Sequence, residues 1–185
     1  MDRRGFLTST IAAVSDGDVV HGLAPAASNE ARRFEAERKY LDLRQGRIAY
    51  ADRGAGRVAL FIHGFPLNGY QWRDALDLLA AQRRCLAPDL MGLGYTEVPA
   101  AQDLSPKSQS DMLVSLLDAL SIKAVDLVAN DSGGGTIAQL MVAQHPARVR
   151  TLLLTNCDVH ENSPPPQMAS SLAKARAGVY DQKIA

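Results

Sequence analysis

The stretch KAVDLVANDSGGGTIAQLMVAQHP, residues 123–146, decides the fold of this chain. Up to Ala129 it is mostly apolar, which predicts a strand. Three glycines follow a polar pair, and apolar residues then recur at helical spacing at Ile137, Leu140 and Met141. Glycines at such a junction let the backbone take a turn that a Cβ would block. We therefore predict a strand, a very tight turn and a helix, with a polar side chain exposed at the helix amino terminus.

Other apolar runs predict a mostly parallel sheet around this unit. The continuous runs at 58–62 and 151–155 are typical of strands buried on both faces, and such strands belong to parallel sheets. The predicted strands are residues 40–43, 47–51, 58–62, 84–87, 124–129 and 151–155. Helices are predicted after Asn68 and Ser105, which suit helix caps. The charged segment 29–38 is expected to be a solvated lead-in.

The glycine turn resembles the nucleophile elbow of α/β-hydrolases, in which small residues flank a nucleophile between a strand and a helix. Two registers fit. In the first, Asp131 is the nucleophile and Gly133 is the small residue two positions later. In the second, Ser132 is the nucleophile and Gly134 is that small residue, but Asn130 then occupies a crowded position that favours Gly or Ala. Sterics favour Asp131.

The Asp131 register resembles the haloalkane dehalogenases and epoxide hydrolases. In these enzymes an Asp carboxylate attacks carbon, and a His-activated water then hydrolyses the ester. They usually carry His before the Asp and Trp after it, whereas this chain has Asn130 and Ser132. Without the Trp a common halide contact is missing, so epoxides are preferred to haloalkanes as expected substrates.

A second motif, His63-Gly64-Phe65-Pro66, resembles the His-Gly-x-Pro turn that follows the third strand in this family. The resemblance implies an oxyanion hole formed by the backbone N–H groups of Phe65 and Ser132. We assign His63 a structural role in the turn, which is the commoner role for a lone histidine.

The loop after the last predicted strand contains a candidate acid. Some dehalogenase-like relatives place the triad acid near the position of Asp158, although a polar loop residue at a strand end explains it equally well. Asp158, His160 and Glu161 could be imagined as metal ligands, but no second cluster supports a metal site. No metal or cofactor is predicted.

The resemblance covers about six strands of an α/β-hydrolase fold with its flanking helices, without the carboxyl-terminal strands and the cap. The triad His of this family follows the last strand, and none of the four histidines lies there. We therefore expect a partial hydrolase that carries a nucleophile and an oxyanion hole without the base that completes turnover. Two alternatives remain open: a serine esterase that uses Ser132, and a non-catalytic fragment that binds a partner or an anion at the glycine turn.

Composition excludes other classes of function. The chain has 185 residues, 46% of them hydrophobic, and its 20 basic residues balance 20 acidic ones. Zero net charge gives no field to recruit nucleic acid, and no apolar run approaches the ~20 residues that span a bilayer. The expected partner is a small-molecule substrate. Self-association is also expected, through an apolar sheet edge at 151–155.

The chain divides into three predicted segments. Residues 1–27 resemble a twin-arginine export signal, with Arg3 and Arg4 ahead of a short apolar stretch. This predicts export to the periplasm. If the segment is instead a disordered tail, the protein is expected in the cytoplasm. Residues 28–161 form the hydrolase core, and 162–185 the start of a truncated cap.

Overall fold

A computed structural model of the chain describes residues 29–158 and 169–178. The predicted export signal at 1–27 lies outside the described residues, as do His160 and Glu161. Most of the predicted cap segment at 162–185 lies outside them too. Within the described ranges, no helix is long and apolar enough to cross a membrane.

The described residues fold into one six-stranded sheet with helices packed against it. The strands are β1 (Lys39–Leu43), β2 (Gly46–Arg53), β3 (Val58–Ile62), β4 (Arg84–Pro88), β5 (Val125–Asn130) and β6 (Val149–Thr155). The helices are α1 (Asn29–Ala36), α2 (Arg73–Leu79), α3 (Pro106–Ala119), α4 (Asp131–Gln144) and α5 (Ala169–Arg176), with short 3-10 helices at Gly69–Trp72 and Pro146–Arg148.

The strand order across the sheet is β1-β2-β4-β3-β5-β6. Strands β3, β4, β5 and β6 pair in parallel, whereas β2 is antiparallel to both β1 and β4. Parallel neighbours need crossover connections, and the helices between these strands supply them. The mostly parallel sheet predicted from the apolar runs is confirmed.

The two faces of the sheet bury separate cores, because successive side chains of a strand point to opposite faces. Leu60 of β3 belongs to the core that α3 and α4 cover, together with Met112 and Met141. Its neighbour Phe61 belongs to the other core, which α1 and α2 cover, and its ring lies 5.3 Å from that of Trp72. Strand β3 is thus buried on both faces.

The segment expected to be a solvated lead-in is instead the helix α1, so that prediction was wrong. Phe34 is only 3% exposed and packs edge-on against Tyr70, with 5.2 Å between the ring centroids. Phe34 docks this helix against the core, and Arg33 and Glu30 form ion pairs with Asp77 and Arg73 of α2.

The prediction that the strand at 151–155 is buried on both faces was also wrong. In β6, Leu152 is 37% exposed and Leu153 is 55% exposed. The reason is its position, since β6 is the end strand of the described sheet and pairs only with β5.

The carboxyl ends of β3, β5 and β6 meet at one edge of the sheet. Parallel pairing sets Ile62 opposite Ala129, and Asn130 opposite Thr155. Strand β5 ends at Asn130 and α4 begins at the next residue, so the predicted tight turn is confirmed. In open α/β sheets, ligands bind outside the carboxyl ends of the strands.

Candidate active site

Asp131 occupies the tip of the turn between β5 and α4. Its φ of +65° lies in the left-handed region, which a residue with a Cβ enters only at a cost of about 1–3 kcal/mol. The side chain is partly exposed. A strained, partly exposed residue between a strand and a helix is what a nucleophile elbow requires, and here that residue is Asp131.

The turn after β3 packs directly against this carboxylate. The N–H of Phe65 donates a hydrogen bond to Asp131 Oδ2, with 3.0 Å between the atoms. A Cβ on Gly64 would lie 2.2 Å from the same oxygen, so a glycine is needed for the close approach. The Phe65 side chain is 72% exposed. The carboxylate is therefore held by a main-chain donor beside an exposed aromatic ring.

Gly134 packs more closely against β3 and the turn after it than Gly133 does. A Cβ on Gly134 would lie 2.8 Å from the carbonyl oxygen of His63, whereas a Cβ on Gly133 would find its nearest atom at 3.7 Å. The Asn130 side chain points towards Gln71 and Thr155. Of the two candidate nucleophiles, Asp131 is the one with a positive φ.

His63 is fully buried, and both of its ring nitrogens face the backbone. Nδ1 lies 2.8 Å from the carbonyl oxygen of Gly64, and Nε2 accepts a hydrogen bond from the N–H of Leu90 at 2.9 Å. These partners require a neutral ring that is protonated on Nδ1. Burial lowers the pKa of His63 below its ordinary value, which favours the same state. The ring holds the turn that carries Phe65 and Pro66 against the loop after β4.

Two side-chain amides connect this turn to the elbow, and sequence reasoning missed one of them. The N–H of Gly64 donates to Gln71 Oε1 at 3.4 Å, and Gln71 Nε2 donates to Asn130 Oδ1 at 2.5 Å. Asn130 Nδ2 in turn donates to the carbonyl oxygen of Thr155 at 3.0 Å. Asn130 stood out in the sequence as a departure from the usual His, but no pattern marked Gln71.

Comparison with known proteins identifies the family of this chain. The family model described as alpha/beta hydrolase fold matches residues 58–183. The chain belongs to the α/β-hydrolase fold family. The family is enzymatic, and the relatives below are named as hydrolases and a dehalogenase.

Three similar proteins illustrate the range of this α/β-hydrolase family. A 2-hydroxymuconate semialdehyde hydrolase of Pseudomonas sp. strain CF600 is 42% identical over 56% of this chain and 37% of its own length. A haloalkane dehalogenase of Mycobacterium bovis is 30% identical over 66% of this chain and 43% of its own. The crystal structure of an epoxide hydrolase from Vigna radiata superposes with a TM-score of 0.65 and 27% identity, covering 77% of this chain and 46% of that one. The chain thus spans less than half the length of each.

The loop after β6 reaches the same elbow of this α/β-hydrolase. Gln139 Nε2 on α4 donates to the carbonyl oxygen of Asp158 at 3.1 Å. A Cβ on Gly135 would lie 2.6 Å from the Cβ of Cys157, so the loop packs closely on the helix. Burial raises the pKa of the Cys157 thiol, and the charges of Asp131 and Asp158 add to the effect. Asp158, the candidate acid, therefore lies on the elbow side of the sheet.

The structure describes the backbone of Ser132 within α4, but its side chain lies outside the described part. Among the residues that are described, no group of three or more His, Cys, Asp or Glu side chains could hold a metal ion. Cys85 and Cys157 are both free thiols.

Proposed function

We propose that Asp131 is the nucleophile of an α/β-hydrolase that forms an alkyl-enzyme ester. Epoxides are the preferred substrate class and haloalkanes the second. The single observation that carries this proposal is the hydrogen bond from the Phe65 N–H to Asp131 Oδ2 at the strained tip of the elbow. A carboxylate held in this way presents its other oxygen, Oδ1, to a substrate.

The chemistry of the first step follows from that arrangement. Oδ1 attacks an epoxide carbon, a carbon–oxygen ester bond forms, and the strained ring bond to the epoxide oxygen breaks. The alkoxide takes a proton from water. With a haloalkane the bond to the halogen breaks instead and halide leaves. In both cases Oδ2 becomes the ester carbonyl oxygen.

The Phe65 N–H gives this site its proposed oxyanion hole. When water later attacks the ester carbonyl, negative charge develops on Oδ2, which already faces that donor. We propose the N–H of Ser132 as the second donor, because it follows Asp131 at the amino terminus of α4, where N–H groups lack partners within the helix.

Release of the ester needs a base, and the two described histidines do not suit this role. His63 uses both ring nitrogens on the backbone. His145 follows α4 at the end opposite to Asp131, and a helix of 14 residues is about 21 Å long. With no suitable histidine among the described residues, we expect the ester to accumulate on this chain. His21 and His160 lie outside the described residues.

The exposed ring of Phe65 favours an apolar substrate. Its ring is 72% exposed, and Leu67 in the same loop is 47% exposed. Apolar groups beside the nucleophile favour a substrate with an apolar body, because contact with them removes apolar surface from water. An aryl or alkyl epoxide fits this description.

The proposal is tested by the intact mass of the full chain after exposure to an aryl epoxide, a primary bromoalkane and a nitrophenyl ester, with peptide mapping of every adduct. We expect an ester on Asp131 from the epoxide. Asp131→Asn should form none, and Ser132→Ala should react like the parent chain. An acyl group on Ser132 would instead make the protein a serine esterase. No adduct with any probe would mean that this chain does not perform the step.

We also propose that β6 mediates self-association. Its outer edge pairs with no described strand, and Leu152 and Leu153 on it are exposed. Unpaired edges pair readily with other strands, and a net charge of zero offers no long-range repulsion between copies. Sedimentation should show association that rises with concentration and that Leu153→Lys reduces. A monomer at all concentrations would contradict this.

The amino-terminal segment carries a separate proposal. We propose that residues 1–27 direct export through the twin-arginine route, because Arg3 and Arg4 precede a short apolar stretch. A reporter fused after residue 27 should reach the periplasm, and replacement of both arginines by lysine should retain it in the cytoplasm. Equal export of both fusions would contradict the proposal.

A further inference from the structure

The bridge of two side-chain amides between Gln71 and Asn130 has a fixed direction. At one end the main-chain N–H of Gly64 can only donate, so Gln71 presents Oε1 to it. At the other end the carbonyl of Thr155 can only accept, so Asn130 presents Nδ2 to it. These end groups leave Gln71 Nε2 facing Asn130 Oδ1, a donor against an acceptor. Both amides are therefore oriented consistently along the whole bridge.

The bridge connects two parts of the main chain whose relative position sets the geometry of the site. Gly64 belongs to the turn after β3 and shares a peptide group with Phe65, whose N–H contacts Asp131. Asn130 is the last residue of β5 and directly precedes Asp131. A shift of either side would therefore change the distance between the Phe65 N–H and Oδ2.

Resting on the proposed function of Asp131, we propose that Gln71 is a positioning residue. Through Asn130 it holds the Phe65 N–H against the carboxylate during ester formation. No described contact joins Gln71 to the carboxylate itself, so its effect passes through the turn. Misplacing a reacting group by about 1 Å can cost on the order of 10²-fold in rate.

The chain contains another glutamine, Gln109, whose contacts are purely structural and which serves as the control for Gln71. Gln109 on α3 accepts from the N–H of Met91 at 3.0 Å and donates to the carbonyl oxygen of Met91 at 2.8 Å. It is 5% exposed and fixes the loop after β4 with two hydrogen bonds, as Gln71 fixes the turn after β3. None of its described contacts reaches the elbow. Methionine replaces either glutamine with similar length and removes both amide groups.

The test compares the parent chain, Gln71→Met, Gln109→Met and Asn130→Leu by the rate at which an aryl epoxide labels Asp131. The rate constant at saturating epoxide and the half-saturating concentration are measured separately. We expect Gln71→Met to lower the saturating rate constant by about 10-fold or more with little change in half-saturation. Gln109→Met should leave the rate constant within about two-fold while losing thermal stability. The double variant Gln71→Met/Asn130→Leu should be no slower than the slower single variant, because both break one bridge.

A second measurement does not depend on reactivity. Amide hydrogen exchange at Gly64 and Phe65, followed by NMR, should accelerate in Gln71→Met and stay at the parent rate in Gln109→Met. If labelling of Asp131 and these two exchange rates are all unchanged in Gln71→Met, the inference is overturned. Equal slowing of labelling by both methionine variants would also overturn it.

Failure of the proposed function can be told apart from failure of this inference. If the parent chain forms no ester on Asp131, the proposed function fails. Amide exchange then decides the positioning claim alone: faster exchange at Gly64 and Phe65 in Gln71→Met supports it, and parent-like exchange overturns it.

Discussion

Gly64 lies so close to Asp131 that a Cβ on the glycine would stand 2.2 Å from Oδ2 and 2.3 Å from the Cβ of the aspartate. Real Cβ atoms do not approach other atoms this closely, so a side chain at position 64 must displace the carboxylate or the turn. The same contact brings the Phe65 N–H to Oδ2. The short turn after β3 and the elbow after β5 thus fit each other only with glycine at this position.

We expect Gly64→Ala to slow epoxide labelling of Asp131 by on the order of 10²-fold, because the new methyl group displaces the carboxylate from the Phe65 N–H. Gly133→Ala is the matched control, since its Cβ would lie 3.7 Å from the Phe65 nitrogen and 3.8 Å from Oδ2, in ordinary contact. It should label within a few-fold of the parent rate. Equal rates for Gly64→Ala and Gly133→Ala would show that this close contact is not needed.

Alanine substitution at Gly133 and at Gly134 should have different effects on stability. A Cβ on Gly134 would meet the carbonyl oxygens of His63 at 2.8 Å and Ile62 at 3.1 Å, and both belong to the backbone of β3 and its turn. We expect Gly134→Ala to lower the free energy of unfolding by about 1–3 kcal/mol through overpacking. Gly133→Ala should be neutral or stabilise α4 by up to about 1 kcal/mol, since alanine favours helices. Urea denaturation of both variants measures this, and a loss of stability in Gly133→Ala as large as in Gly134→Ala would contradict it.

The local patterns in the sequence were enough to predict the elbow and the sheet. Continuous apolar runs and three adjacent glycines report strand burial and a tight turn, and the structure has both at β3, β5 and α4. These features depend on residues that are neighbours in the chain. They can therefore be predicted from the sequence without knowledge of the fold.

Features that depend on distant contacts could not be predicted in this way. The burial of Phe34 depends on Tyr70, and the exposure of Leu153 depends on the end position of β6 in the described sheet. The partnership of Gln71 with Asn130 joins residues 59 positions apart. A lone polar residue gives no periodic signal, so the partner that it will meet in the folded chain cannot be read from its own neighbours.

A buried carboxylate at the opposite end of β5 gives a third prediction. Asp126 has a side chain only 7% exposed, and Arg57 binds both of its oxygens at 2.7 Å. The hydrogen bonds from Arg57 hold the pKa of Asp126 well below its ordinary value. We expect Asp126→Asn to lower the free energy of unfolding by about 2 kcal/mol at pH 7. Asp118→Asn, which removes a 63% exposed partner of Arg148, should cost at most about 1 kcal/mol.

The pH dependence of the Asp126 contribution follows from its lowered pKa. Stabilisation by the ionised carboxylate is fully present above the pKa of the unfolded chain, about 3.9. It is lost as the pH falls from there through the lower pKa of the folded state. The difference in unfolding free energy between the parent chain and Asp126→Asn should therefore be constant near neutrality and shrink below pH of about 4. A difference that shrinks already between pH 7 and 5 would contradict this assignment.

The pKa of His63 is also lowered in the folded chain, but its unfolded-state value lies higher than that of Asp126, so stability begins to fall at a higher pH. Burial lowers its pKa in the folded chain, and Nε2 must remain unprotonated to accept from the N–H of Leu90. Below pH of about 6.5 the unfolded chain binds a proton that the folded chain does not, so the free energy of unfolding falls as the pH falls.

The variant His63→Leu separates this titration from the others. It should lower stability by about 1–3 kcal/mol at pH 8, because the buried Leu90 N–H loses its acceptor. Its stability should then change less than that of the parent chain between pH 7 and 5, because the titrating group is gone. Urea denaturation at several pH values measures both effects. Parallel curves for the two proteins over this range would mean that His63 takes up its proton equally in the folded and unfolded chains, which its full burial between two backbone partners argues against.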